Sequence, residues 1–99
     1  MIQSISVSPA TVLDPNIGKI VVLVDTSSVN WSDNGVLSLP PSPVAKAQIL
    51  IKDSEGSADI KSIVVDGAGK LIDTSATRLI QNPFEALLLA YDGTKWVVI

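Results

Sequence analysis

The stretch Glu85 to Ile99, EALLLAYDGTKWVVI, decides the reading of this chain. Two apolar runs flank Asp92-Gly93, a dipeptide that tolerates the positive φ angles of a tight β-hairpin turn. A two-residue turn there pairs Tyr91 with Thr94, Leu89 with Trp96 and Leu87 with Val98. Leu87, Leu89, Tyr91, Trp96 and Val98 then share one face, and Ala86, Leu88, Ala90, Lys95, Val97 and Ile99 share the other. A half-buried strand alternates apolar with polar residues, and this ribbon does not. It is therefore expected to be covered on both sides, by a second sheet or by another subunit. Leu87, Leu89, Tyr91, Trp96, Val98 and Ile99 are the residues expected in a core or an oligomer interface. A competing pattern overlaps the start. Asn82-Pro83-Phe84-Glu85 carries an N-cap, a first-turn proline and a glutamate three residues after the cap, so 83–91 could coil as a helix. The brevity of ALLLAY and the β-rich KWVVI that follows favour a strand.

The remaining segments read as short strands. Ile2 to Val7 alternates apolar with polar residues, and Pro9 and Pro15 bracket a loop containing Leu13 and Asp14. Lys19 to Asp25, KIVVLVD, is a continuous β-branched run suited to burial on both faces. Thr26 to Gly35 is rich in turn residues and holds Trp31. Val36 to Leu39 leads into Pro40-Pro41-Ser42-Pro43, a stiff extended crossing. Further strands are expected at Ala47 to Asp53, Ile60 to Asp66, Lys70 to Asp73 and Arg78 to Ile80, separated by Asp, Gly and Ser turns. The whole is expected to be all-β, a small sandwich or barrel of short antiparallel strands closed by the terminal hairpin. Residues 1–14 form an N-terminal strand or arm, and 15–99 a single β domain. Val64-Val65, Leu71-Ile72 and Leu79-Ile80 recur at spacings of seven and eight, a hint of coil-like rungs.

At 99 residues, the chain makes one domain. It is 46% hydrophobic and only 17% charged, which leaves apolar surface for a subunit interface. Net charge is −3 with scattered Lys and Arg, a pattern that argues against nucleic-acid binding. Cysteine and histidine are absent, so no Ser-His-Asp triad, Cys-His dyad or His/Cys zinc site can form within the chain. No run is long and apolar enough for a membrane-spanning helix, no signal-peptide pattern is present, and the chain reads as a complete small gene product.

Candidate chemistry is sparse. Asp53, Glu55 and Asp59 could offer oxygens to calcium, but the loop lacks the EF-hand order, and a solvated turn is the simpler reading. Asp66-Gly67-Ala68-Gly69 contains G-x-G without the rest of a phosphate loop, so its glycines serve turn geometry. Asp66 and Asp73 could pair as glycosidase carboxylates, yet both sit in turns that they would cap. No cofactor and no enzymatic activity are expected.

Several runs resemble a type of small β module found in bacteriophage virion proteins: VLVDTSS, VLSLPPSP, ILIKDSEGSA, IVVDGAGKLID and the closing LLLAYDGTKWVVI. The likeness covers the chain from about Gly18 onward and departs from the pattern at Phe84-Glu85-Ala86-Leu87. It implies a virion structural or adhesive component, commonly a homotrimer. Partners would be other copies of itself and a major capsid or other virion protein. In a capsid decoration protein, Met1 to Asp14 could act as an arm that adds a strand to the capsid. In a receptor-binding fibre tip, Trp31, Asp33 and Asn34 would form a ligand loop, an aromatic platform for a host glycan with polar groups alongside. An anchor holding the loop to the core is the simpler role for Trp31.

Overall fold

The computed structural model describes residues 2–13 and 19–99. Asp14 and Pro15, the far end of the expected N-terminal loop, lie outside these. Among the described residues the chain is all-β: β1 (Ile2–Ile5), β2 (Ala10–Thr11), β3 (Lys19–Val24), β4 (Gly35–Ser38), β5 (Gln48–Asp53), β6 (Ile63–Asp66), β7 (Thr77–Ile80), β8 (Ala86–Tyr91) and β9 (Trp96–Val98). They form a five-stranded sheet, β1-β3-β5-β8-β9, and a four-stranded sheet, β2-β4-β6-β7. The shortest dimension, 20 Å, is what two layers about 10 Å apart with their outer side chains occupy.

The two sheets are mixed, which corrects the expectation of antiparallel strands throughout. β1 to β6 alternate between the sheets, so β1-β3-β5 run parallel in one and β2-β4-β6 run parallel in the other. Lys19 pairs with Gln48 and Gly35 with Ile63, so one coil follows the next after 29 and 28 residues. Coils do exist, but not at the seven- and eight-residue spacing of the apolar pairs. β7 instead turns back antiparallel on β6, and Leu71-Ile72 contributes only isolated bridges at Ile72. A short apolar run followed by turn residues looks the same whether the chain doubles back within a sheet or crosses to the other one.

β8 is a strand, antiparallel to both β5 and β9. Residues 82–85 make a turn rather than a helix start. Glu85 Oε1 accepts the N–H groups of Gln81 and Asn82, and Glu85 N–H donates to Asn82 O. The terminal hairpin pairs Tyr91 with Trp96 and Leu89 with Val98, two residues out of the expected register. Asp92 Oδ1 accepts the N–H groups of Thr94 (2.8 Å) and Lys95 (2.9 Å), which widens the turn to four residues. Because side chains alternate with period two, a shift of two leaves the faces unchanged.

The core lies between the sheets. β3, β5 and β8 each bury one side: Ile20, Val22 and Val24; Ile49 and Ile51 beside Asp53; Leu87, Leu89 and Tyr91. Leu37, Ile63, Val65 and Ile80 face them from the second sheet. Trp96 closes the core beside Tyr91, with ring centroids 5.2 Å apart. Its buried Nε1 has no hydrogen-bond partner, a cost of about 1–3 kcal/mol set against the burial of a whole indole. Gly67 is dictated by space, since a Cβ there would lie 2.0 Å from Lys70 O.

The N-terminal residues are the first coil and not a free arm. β1 pairs with β3 along its length, and β2 pairs with β4. Ile5 and Val12 are buried, and the Gln3 side chain bridges the layers, donating to Thr11 O at 3.1 Å and accepting Leu13 N–H at 2.9 Å. Removing residues 1–12 should therefore destabilise the domain by about 3–5 kcal/mol from the lost Ile5 and Val12 burial alone. Urea unfolding followed by tryptophan fluorescence would read this as a marked drop in midpoint. An unchanged midpoint would restore the arm.

Candidate functional site

In the loop between β3 and β4 the structure turns the Trp31 ring inward, the anchor role preferred from the sequence over a ligand platform. Trp31 is 1% exposed, its Nε1 donates to Ser62 O at 3.3 Å, and its ring fills the space that a Cβ on Gly35 would need. The indole therefore has no open face to stack on a sugar. Asp33 and Asn34 do reach the surface, but both are occupied by Ser62. Asp33 Oδ1 accepts Ser62 N–H at 3.1 Å, and the Ser62 hydroxyl lies 2.7 Å from Asn34 Oδ1. The Ser62 N–H is the main influence holding the Asp33 carboxyl below its usual range. The three residues pin the loop, with Trp31 as its anchor.

The other acidic candidates are tied up in the same way. Asp66 Oδ1 accepts Ala68 N–H and caps its own turn, while Asp73 Oδ1 accepts Val98 N–H and ties its turn to β9. Glu55 and Asp59 are exposed, while Asp53 is fully buried, so DSEGSAD does not converge on one ion. Among the described residues no group of three or more His, Cys, Asp or Glu gathers as metal ligands.

Asp53 is the polar residue whose importance the sequence reading missed. It sits on the core-facing parity of β5, after Ile49 and Ile51, and that position was the available signal. Its Oδ1 accepts the Thr26 hydroxyl (2.6 Å) and the N–H groups of Glu55 (3.3 Å) and Gly56 (3.1 Å). Its Oδ2 accepts those of Ala58 (3.0 Å) and Phe84 (3.1 Å). Thr26 Oγ1 in turn accepts Ser57 N–H. Burial pushes the carboxyl upward, but the Thr26 hydroxyl and the N–H groups of Phe84, Ala58 and Gly56 outweigh it and hold it below the ordinary 3.8. Phe84 adopts a left-handed φ of 60°, with its N–H on Asp53 and its carbonyl on Lys52 Nζ at 2.6 Å.

The two outer faces of the sandwich carry aligned apolar residues. Leu87, Leu89, Tyr91 and Trp96 are buried between the sheets, and Val98 packs partly against them. The hairpin's other side lies on the exterior of the single chain, so only one face is covered from within. There, in-register pairing lines up Ile2, Val21, Leu50 and Leu88 on four strands with Ile99, the residue just past β9, bonded to Leu88 O. Val21, Leu50 and Leu88 half-cover one another, while Ile2 and Ile99 at the edges are 68% and 70% exposed. The four-stranded sheet carries a shorter outer row, Val36, Val64 and Leu79. No known protein family matches the chain, and no curated protein resembles it in sequence.

Two variants separate anchor from platform and test the buried carboxylate. Trp31→Ala should cost about 3–5 kcal/mol of stability, read by thermal or urea unfolding. Asp53→Asn keeps the shape but turns an amide toward N–H donors, and should cost about 3 kcal/mol at pH 7. With its folded-state pKa below the unfolded value, the carboxylate stabilises the fold above the ordinary 3.8, and that contribution is lost as pH falls through the folded value. The acid limb of the stability curve should therefore be shallower in Asp53→Asn than in the parent.

Proposed function

We propose that the protein is a structural component of a bacteriophage virion, a capsid-decoration protein that seats on the capsid as a small oligomer. The observation that carries this reading is the placement of apolar rows on opposite outer faces of one thin sandwich. The row across the five-stranded sheet and the Val36-Val64-Leu79 strip point in opposite directions. A decorating oligomer needs one surface for its own copies and another for the shell. Burial of either contributes roughly 25 cal/mol per Å² before the costs of association. The likeness of VLVDTSS, ILIKDSEGSA and LLLAYDGTKWVVI to virion modules supports the same class. The receptor-binding alternative has lost its aromatic platform with the burial of Trp31.

The protein should co-sediment with purified capsids of its phage and saturate at hundreds of copies per particle, counted by quantitative gel. Val64→Lys and Leu79→Lys, on half-buried and exposed outward positions, should weaken that binding about tenfold or more while leaving the unfolding midpoint within experimental scatter. Saturation at a handful of copies would point to a fibre or tail tip instead.

A further inference from the structure

The outer face of the five-stranded sheet is built to meet itself. Its strands place only Lys19 and Lys52 among charged residues on the outward side, although the chain contains ten Asp and Glu. Charge gathers instead at the two ends of β3. At its start, Lys19 borders a hollow of about 240 Å³ floored by Val21, Leu50 and Leu88. Just past its end, Asp25 and Glu55 border a second hollow of about 330 Å³ beside Ser4, Ser6 and Leu23. The apolar row Ile2-Val21-Leu50-Leu88-Ile99 floors the first hollow through Val21, Leu50 and Leu88, and Leu23 at the second lies two residues further along β3.

The geometry points to a second copy of this chain as the occupant of this face, related by a two-fold axis along that central row. Such an axis sets each residue of the row against its own counterpart and reverses the strand direction across the contact. The Lys19 end of one copy then lies over the Leu23–Asp25 end of the other. Two residues along a strand span about 6.6 Å, so the Lys19 ammonium reaches the partner's acidic hollow while its stem covers Leu23. Asp25 Oδ1 is held by the N–H and hydroxyl of Ser27, which fixes the carboxylate at that rim. Lys52, paired with Leu23, also lies at the acidic end with its ammonium on Phe84 O. Asp25 and Glu55 outnumber it there, so the two ends still differ in sign, and the face is complementary to itself in this orientation and not in the parallel one.

Area sets the strength. Twenty-five strand residues at about 3.3 Å each, on strands about 4.8 Å apart, present about 400 Å² a copy, roughly 800 Å² in all, the range of weak and transient contacts. The pair is therefore a weak dimer, reinforced when a shell aligns many copies. The inference rests on the decoration reading only in taking the pair as the unit that binds the shell. It replaces three-fold self-association with two-fold.

Sedimentation velocity on the full chain between about 1 µM and about 500 µM should show a reversible monomer–dimer equilibrium. Leu50→Lys should weaken it more than tenfold. Lys19→Asp should weaken it about fivefold, and the double variant Lys19→Asp/Asp25→Lys should recover the loss, provided its thermal unfolding matches the parent. Independently of that, Leu50→Cys lies on the axis of a chain without other cysteines, and a short bis-maleimide that spans the roughly 10 Å between stacked sheets should join it into a covalent dimer. Val36→Cys, on the opposite face, should not. A monomer at every concentration, a trimer, or crosslinking by Val36→Cys and not by Leu50→Cys overturns the proposal. Capsid co-sedimentation read in parallel keeps the two ideas apart. Monomers that still decorate shells sink the dimer alone, and dimers that ignore shells sink the decoration reading alone.

Discussion

Asp53 ends β5 with its carboxylate inside the sandwich, where three separate chain crossings arrive to donate to it. Thr26 comes from the loop leaving β3, Glu55 to Ala58 from the loop leaving β5, and Phe84 from the turn entering β8. A buried charge of this kind is stable only when its oxygens are well supplied with donors, and here five groups supply them. The network also determines local backbone that would otherwise be unfavourable. Phe84 holds a left-handed φ because its N–H and carbonyl are both claimed, and its ring packs where a Cβ on Gly56 would stand. Without the carboxylate, three loops lose their common anchor at the end of the central strand.

Around that point the chain winds as stacked coils and then stops. At one end Gln3, a polar residue on a core-facing position, spans the layers and bonds backbone groups near β2. At the other end β7 and the β8-β9 pair reverse direction, so parallel coiling gives way to antiparallel closure. Terminal units of stacked-coil folds need polar or altered edges to remain discrete. This chain uses a bridging carboxamide at one end and a strand reversal at the other.

The proposed function rests on surfaces. The tryptophan and acidic groups best placed for chemistry are spent on structure: Trp31 as a plug, Asp33 and Asn34 as loop pins, Asp66 as a turn cap and Asp73 as a tie to β9. On the strands the outward apolar residues form aligned rows, and alignment follows from pairing register. Val21, Leu50 and Leu88 are far apart in sequence and become one stripe only because β3, β5 and β8 adjoin.

Local composition by itself determined that the chain is all-β, where most strands begin and end, and that the terminal ribbon is apolar on two sides. Those properties depend on alternation, β-branched runs and turn residues, all of which act over a few positions. It also determined which side chains share a face of β8 and β9, since a register error of two leaves parity intact. Only the tertiary structure decided that β1 to β6 cross between sheets and pair in parallel, that residues 2–12 are the first coil, and that Asp53 is a buried hub. Pairing partners lie a coil or more apart in sequence, and a carboxylate at the end of a strand reads as a turn residue until the loops that donate to it are brought together in space.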